Sequence, residues 1–416
     1  MIHRHGGDIY TYQGVQDFSA NINFRGMPES VRRAAMEAVD ASVHYPDPEY
    51  RALRLALAKR ESVIAEKACR TGADAESDVK ASAVSGQKAG TAILPEHIIC
   101  GNGAAELMFS LVAARMPRSA LLAVPSFFEY EQALASCGCQ MRWDEMKRER
   151  GFRLEESFLK AIREDTDMII LGNPNNPTGR CLEAGLLRRL LAVCREKQIL
   201  LVLDESFFDF LEEDMDSFSG VTAVQAYPNL FVLKSFTKMY AMPGLRLGYG
   251  ICSDTKLLYE MRKRMQPWNV SVPAAAAAEA AATELTFARE TAREVAANRT
   301  DMKRGMERAG YRVYPSDTNF LLFEGPEDLQ KYCIKRGFLI RDCGNFRGLG
   351  SLQEKEHQSA FEICRSGNAL SDEQEQPRRA FFRICIRSRE ENTALLRVLE
   401  ERNAGISVGE EAETTL

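Results

Sequence analysis

Residues 231–249 read FVLKSFTKMYAMPGLRLGY. The apolar run ending at Leu233 predicts a buried strand. A polar turn follows, Lys234-Ser235-Phe236-Thr237-Lys238, and then Pro243-Gly244-Leu245-Arg246. A lysine held against an apolar sheet edge loses solvation, which disfavours its ammonium form and leaves a nucleophilic amine. Ser235, Thr237 and Arg246 supply donors suited to an anion such as phosphate. A lone Ser-x-x-Lys is more often an ordinary strand end with solvated cations, so the reading depends on the rest of the chain.

Other stretches repeat the pattern of an apolar strand running into a polar turn. HIICG (97–101) is a short strand, followed by Asn102-Gly103-Ala104-Ala105-Glu106 and a helix to about Met116. That junction points free backbone N–H groups and a positive dipole end at one place. LLAVPSFFEYEQAL holds a strand, a turn with Phe127 and Phe128, and a helix. MIILGNPNNPTG ends a strand near Gly172, a helix covers about 182–197, and QILLVLDESFF ends a strand at Asp204. After another helical crossover, NLFVLKSFTK ends its strand at Ser235. Apolar strands alternating with helices predict an α/β fold with a mostly parallel sheet buried on both faces. Parallel connections put the strand ends on one sheet edge, so Asn176, Asp204 and Lys238 are expected to converge there. A carboxylate closing a strand of Ile, Leu and Val is costly without a partner. The protonated ring nitrogen of pyridoxal phosphate suits Asp204, Asn176 can donate to the ring oxygen, and the aldehyde condenses with Lys238.

The 416 residues, 45% hydrophobic and 27% charged, are ample for two domains. A net charge of −5 does not suggest nucleic-acid binding. Eleven cysteines without a paired framework read as reduced thiols, and Cys137 and Cys139 imply no metal site. No apolar run reaches membrane-spanning length, so a cytoplasmic protein without a membrane partner is expected.

Residues 1–44 are expected to form an N-terminal arm that crosses the surface and packs with a small domain; a helix lies over 28–41. The large domain is expected over 45–270, with a helix over about 49–67 and a mobile insertion at 68–92. A smaller α+β C-terminal domain is expected over 271–402, with strands in NFLLFE, GFLIRDCGNF and AFFRICIRS, an insertion at 351–379, and a disordered tail over 403–416.

NPNNPTG, LDESFFDF and SFTKMYAMPGLRLGY together resemble the fold-type I pyridoxal-phosphate enzymes, in the branch that contains histidinol-phosphate aminotransferase. HGGDI, DFSANIN, YPDPEY, GNGAAE, PWNVS, LIRDCGNFRGL and FFRICIRSREEN most resemble the L-threonine-O-3-phosphate decarboxylases of cobamide biosynthesis. The resemblance implies that Lys238 binds the cofactor aldehyde, Asp204 pairs with the ring nitrogen, Asn176 with the ring oxygen, and Phe127 stacks on the ring. Ala104, Ala105, Ser235 and Arg246 would hold the cofactor phosphate, with Tyr45 reaching in from the other subunit of a homodimer with shared active sites. Arg383 falls where the family holds the substrate carboxylate. Arg341, with His5 and Asn23, falls where the group handles the substrate phosphate. Phe207 or Phe208 follows Asp204-Glu205 where aminotransferases place a tyrosine. The implied reaction is decarboxylation of L-threonine O-3-phosphate, with L-serine O-phosphate as a further candidate. A histidinol-phosphate-type aminotransferase is the alternative, and a binding protein on the same fold a third.

Overall fold

The computed structural model describes residues 5–72, 92–212, 219–350 and 379–405. In chain order the strands are β1 Gln16–Asp17, β2 Ile98–Gly101, β3 Ser119–Val124, β4 Gln140–Glu145, β5 Met168–Gly172, β6 Leu200–Asp204 and β7 Leu230–Ser235. They continue with β8 Gly248–Ile251, β9 Arg312–Val313, β10 Phe320–Pro326, β11 Phe338–Leu339, β12 Arg341–Asp342 and β13 Arg379–Cys385.

The large sheet has the order β2-β8-β7-β6-β5-β3-β4. β7, β6, β5, β3 and β4 are parallel neighbours. β8 runs antiparallel to both β7 and β2. Every residue of β5, β6 and β7 is buried, because helices cover both faces. One face packs Leu121, Ile169, Leu201 and Val232 under the helices Arg51–Gly72, Ala184–Glu196 and Val272–Ala281. The other packs Leu122, Ile170, Val202 and Leu233 under Gly103–Arg115, Phe128–Ser136 and Thr255–Arg262. The helix Ala184–Glu196 shows why it lies where it does: Leu186, Leu187, Leu190, Leu191 and Cys194 form one buried stripe.

A second, antiparallel sheet has the order β12-β13-β10-β9. The helices Leu285–Arg308 and Arg389–Asn403 complete this part. Ser388 starts the latter with a reciprocal cap: its Oγ accepts from Glu391 N at 3.2 Å, and Glu391 Oε2 accepts from Ser388 N at 3.0 Å.

Several expectations change. The arm does not merely cross the surface: Phe18, Ser19, Asn21 and Asn23 are buried. β1 pairs in parallel with β11, and Cys385 N donates to Phe18 O at 2.7 Å, so the extended backbone finds partners there rather than in water. The crossover between β6 and β7 contains only short 3₁₀ turns, Phe208–Phe210 and Gly220–Ala223, among its described residues. GFLIRDCGNF is not one strand, since β11 and β12 join different sheets on either side of Ile340. The helix expected over 49–67 runs on as Arg51–Gly72; residues 73–91 of the insertion lie outside the described residues, as do 351–378 and 406–416. The nine described cysteines are free thiols. No group of metal-ligating side chains and no helix long and apolar enough to cross a membrane occurs among the described residues.

Candidate active site

β2, β3, β5, β6 and β7 all deliver their C-terminal ends to one edge of the large sheet. Opposite that edge stand the arm and the paired strands β12 and β13. Between them lies a cleft of about 370 Å³.

Lys238, three residues beyond β7, lines the cleft. Burial, with the nearby Arg383 and Arg246 guanidinium groups, pushes its amine down to about 8. The amine is therefore partly unprotonated near neutral pH, the state in which it can attack a carbonyl. Asp204, the last residue of β6, also faces the cleft. Its Oδ1 accepts from Ser206 N at 3.0 Å, and its Oδ2 accepts from the Tyr130 hydroxyl at 2.7 Å.

Asn176 sits on the turn after β5, where Arg383 Nη1 donates to its Oδ1. That contact leaves the amide Nδ2 as donor. Arg383 Nη2 also donates to Ser19 O at 2.9 Å, which ties the arm to the site. Arg341 Nη2 donates to Asn345 Oδ1 at 2.8 Å. His5 Nδ1 lies 3.3 Å from Glu129 Oε1.

The first turn of the helix Gly103–Arg115 brings Ala104 and Ala105 to the cleft, with the unpaired N–H groups of a helix start. Arg246 lies against this turn: a Cβ on Gly103 would meet Arg246 Nη2 at 2.4 Å. Ser235 Oγ and Thr237 Oγ1 are 2.7 Å apart beside them. Backbone N–H groups, two hydroxyls and a guanidinium make a cradle for a phosphate ester. Phe127 also lines the cleft, with its ring edge-on to Tyr130 at 5.7 Å between centroids. The donor set, an adjacent amine and the buried carboxylate fit pyridoxal phosphate.

One expected residue stands elsewhere, and Tyr45, expected to serve the other subunit's site, stands outside this one. Tyr45 is exposed and stacks on Trp268, with ring centroids 4.5 Å apart, and does not line the cleft. Asn23 does not line it either: its Nδ2 donates to Met239 O at 2.7 Å and its N to Lys238 O at 3.1 Å. It braces the lysine loop from behind, and Asn21, two residues earlier, faces the cleft instead. Lys234 turns away from Ser235, as alternation along a strand requires. Its Nζ lies 3.5 Å from Glu61 Oε2 and 3.4 Å from Glu205 Oε2.

Sequence reasoning missed Tyr130, Glu129, Asn21 and Asn345. Tyr130 carried a signal, since it stands three positions after Phe127 in a helical stretch and so shares its face. Asn21 and Asn345 lie inside the motifs DFSANIN and LIRDCGNFRGL, which could have flagged them, and Glu129 carried no signal.

The family model for aminotransferase class I and II matches residues 14–399. Threonine-phosphate decarboxylase of Salmonella typhimurium is 32% identical over 415 residues, covering 97% of each chain. A histidinol-phosphate aminotransferase of Nitratidesulfovibrio vulgaris is 31% identical over 255 residues, 60% of this chain and 67% of that one. The crystal structure of L-threonine-O-3-phosphate decarboxylase from Porphyromonas gingivalis superposes with a TM-score of 0.70 at 25% identity, covering 92% of this chain and 98% of that one.

Proposed function

The chain belongs to the aminotransferase class I and II family and is a pyridoxal-phosphate-dependent enzyme, and we propose that it decarboxylates L-threonine O-3-phosphate to (R)-1-amino-2-propanol O-2-phosphate and CO₂. The product suits assembly of a cobamide nucleotide loop, and L-serine O-phosphate is a second candidate substrate. The observation that carries this reading is the pair Arg341 and Arg383, adjacent across β12 and β13 and both lining the cleft that holds Lys238. Two guanidinium anchors suit a substrate with two anionic groups, a phosphate and a carboxylate.

When bound, pyridoxal phosphate supplies an aldehyde for the substrate amine and a cationic ring that accepts the electron pair released at Cα. The protein's residues do the rest. Asp204, oriented by Tyr130, keeps a negative charge where a ring nitrogen would carry a proton. Arg383 holds the substrate carboxylate, and Arg341 with His5 holds the phosphate. Fixing both ends leaves Cα one orientation, and that orientation selects which of its bonds breaks. The Cα–carboxylate bond breaks, CO₂ leaves, and Lys238 Nζ delivers the proton that Cα then needs.

The same reading gives a homodimer, with Tyr45 reaching the neighbouring subunit's site. The exposed apolar side chains Val39, Val43, Tyr45 and Trp268, the last two stacked on each other, support it. It also places the cleft between a large domain, 45–270, and a small one, 271–402, with the arm 1–44 on the small one, in a cytoplasmic enzyme.

The test is CO₂ release from L-threonine phosphate by the cofactor-loaded protein without a keto acid. CO₂ release supports the decarboxylase. Amino transfer from histidinol phosphate to 2-oxoglutarate, with no CO₂, would replace it by an aminotransferase, the second reading that the 31% identical relative favours.

A further inference from the structure

Glu129 stands on the second residue of the helix Phe128–Ser136 and lines the cleft, with its side chain 12% exposed. Its Oε1 is the atom near His5 Nδ1, at 3.3 Å. Its Oε2 is buried and has no hydrogen-bond partner among the described residues. A buried carboxylate oxygen without a partner is unfavourable, whereas a neutral carboxyl carries an O–H that can donate to a ligand.

The groups that face Glu129 come from every wall of the cleft. His5 is on the arm, Arg341 on β12, Lys238 on the loop after β7, and Asp204 at the end of β6. On its own helix Glu131 is bound by Arg347, Nε to Oε1 at 3.0 Å, and so is engaged elsewhere. Burial outweighs the residue's own backbone N–H and the Arg341 and Lys238 cations, Asp204 adds to it, and together they lift the Glu129 carboxyl to about 7. Burial, Arg341 and Lys238 together lower the His5 imidazolium.

Resting on the phosphate-site reading above, we propose that Glu129 is a further substrate-binding residue that acts in its neutral form, donating from Oε2 to the anionic group that Arg341 and His5 also reach. An ionised Glu129 would set a negative charge against the incoming anion; the neutral acid adds a donor. The anion therefore binds together with one proton, taken up from solvent onto Glu129 when the residue was ionised beforehand. Binding is strong below the pH at which Glu129 ionises and weakens above it, by up to about tenfold per pH unit.

The probe is 3-sulfopropanoate, a carboxylate and a sulfonate joined by two carbons, one atom fewer than joins the carboxylate and phosphate of the substrate. It has no amine to react with the cofactor and no ionisation near neutral pH, so any proton uptake belongs to the protein. Calorimetric titration of the cofactor-loaded enzyme, in two buffers of different ionisation enthalpy, reads affinity and proton uptake together. We expect Kd to rise about tenfold or more between pH 6.5 and 8.5, with close to one proton taken up at the upper end. Glu129→Gln, which keeps a donor and cannot ionise, should hold the wild-type pH 6.5 affinity within about twofold across that range and take up no proton. Arg341→Ala should bind at least about tenfold more weakly at either pH. A flat wild-type profile overturns the proposal without any variant, and so does a Glu129→Gln profile as steep as the wild type's. Equal binding by wild type and Arg341→Ala overturns instead the phosphate-site reading beneath it.

Discussion

Arg341 and Arg383 are direct cross-strand partners of β12 and β13, and both are buried. Like charges opposed across a strand pair cost stability, and the arrangement becomes favourable when anions lie between or beside them. Burial, with Arg341 contributing, pushes the Arg383 guanidinium down to about 10, so the charge is held at a cost that a bound carboxylate offsets.

Arg383→Met should therefore lose ligand binding out of proportion to stability. Removing one partner of a buried charge pair costs about 2–5 kcal/mol of binding. Within the fold Arg383 makes no ion pair among the described residues and donates only to Asn176 Oδ1 and Ser19 O, so its loss strands no buried counter-charge. Titration with 3-sulfopropanoate beside a thermal melt of the ligand-free protein checks this. Equal losses in both would mean that Arg383 serves the fold rather than the ligand.

Lys238→Ala should abolish turnover and covalent capture of the cofactor. Borohydride reduction followed by peptide mapping should place pyridoxal phosphate on Lys238 in the wild type and nowhere in the variant. In the cofactor-free wild type, the reactivity of this lysine with an amine reagent should rise with pH and level off near 8 rather than near 10.5, because its amine is depressed to about 8. Levelling near the ordinary lysine value would contradict the buried, cation-flanked setting.

Tyr130→Phe should weaken cofactor binding. The 2.7 Å hydrogen bond to Asp204 Oδ2 is charge-assisted, and bonds of that kind contribute about 1.5–3 kcal/mol. Without it the carboxylate is free to turn, and the cofactor Kd should rise by about tenfold or more. Fluorescence titration of the apo-protein reads it; an unchanged Kd would show that Ser206 N alone orients Asp204.

Lys234→Met should destabilise the fold in a pH-dependent way. Lys234 lies between the buried Glu61 and Glu205; losing the cation leaves Glu61 to Arg60 and Glu205 to the Ser219 hydroxyl and Gly220 N, at a cost of about 3–5 kcal/mol. Burial already raises the Glu205 carboxyl above its ordinary value, and Lys234 opposes that rise. A group whose folded pKa is raised is destabilising when ionised in the fold, so the deficit should be full at pH 8 and shrink as acid protonates Glu205. Denaturant melts at pH 8 and pH 5 measure it. A deficit equal at both would place the cost in lost packing.

Much of the architecture is legible in the sequence because it is local. Val and Leu runs ending in Asp204, in Gly172 before NPNNPTG, and in Ser235 before Lys238 mark parallel strands. The chirality of their connections places those ends on one edge whatever the details of packing. Short elements were not legible in the same way. β8 is the glycine-rich GYGI and β4 is the partly exposed, polar QMRWDE, neither of which shows an apolar run, and β1, β9, β11 and β12 are two-residue pairings that no periodicity marks.

The sequence by itself determined the α/β layering, the family, and the meeting of Lys238, Asp204 and Asn176, since each follows from strand pattern and chain direction. Tertiary structure alone decided which neighbours share the cleft with them. Asn21 rather than Asn23 faces it: in a straight extended arm both would share a side, but the backbone turns here, with Ile22 N donating to Ala20 O at 2.9 Å, and Asn23 docks against Lys238 and Met239 instead. Arg341 meets Arg383 through a strand register set between residues 42 positions apart in the chain. Glu129 and Tyr130 are adjacent in the chain yet engage His5 and Asp204, groups that 74 positions or more separate from them. Register, facing and burial are properties of surfaces brought together by folding, and composition and spacing do not encode them locally.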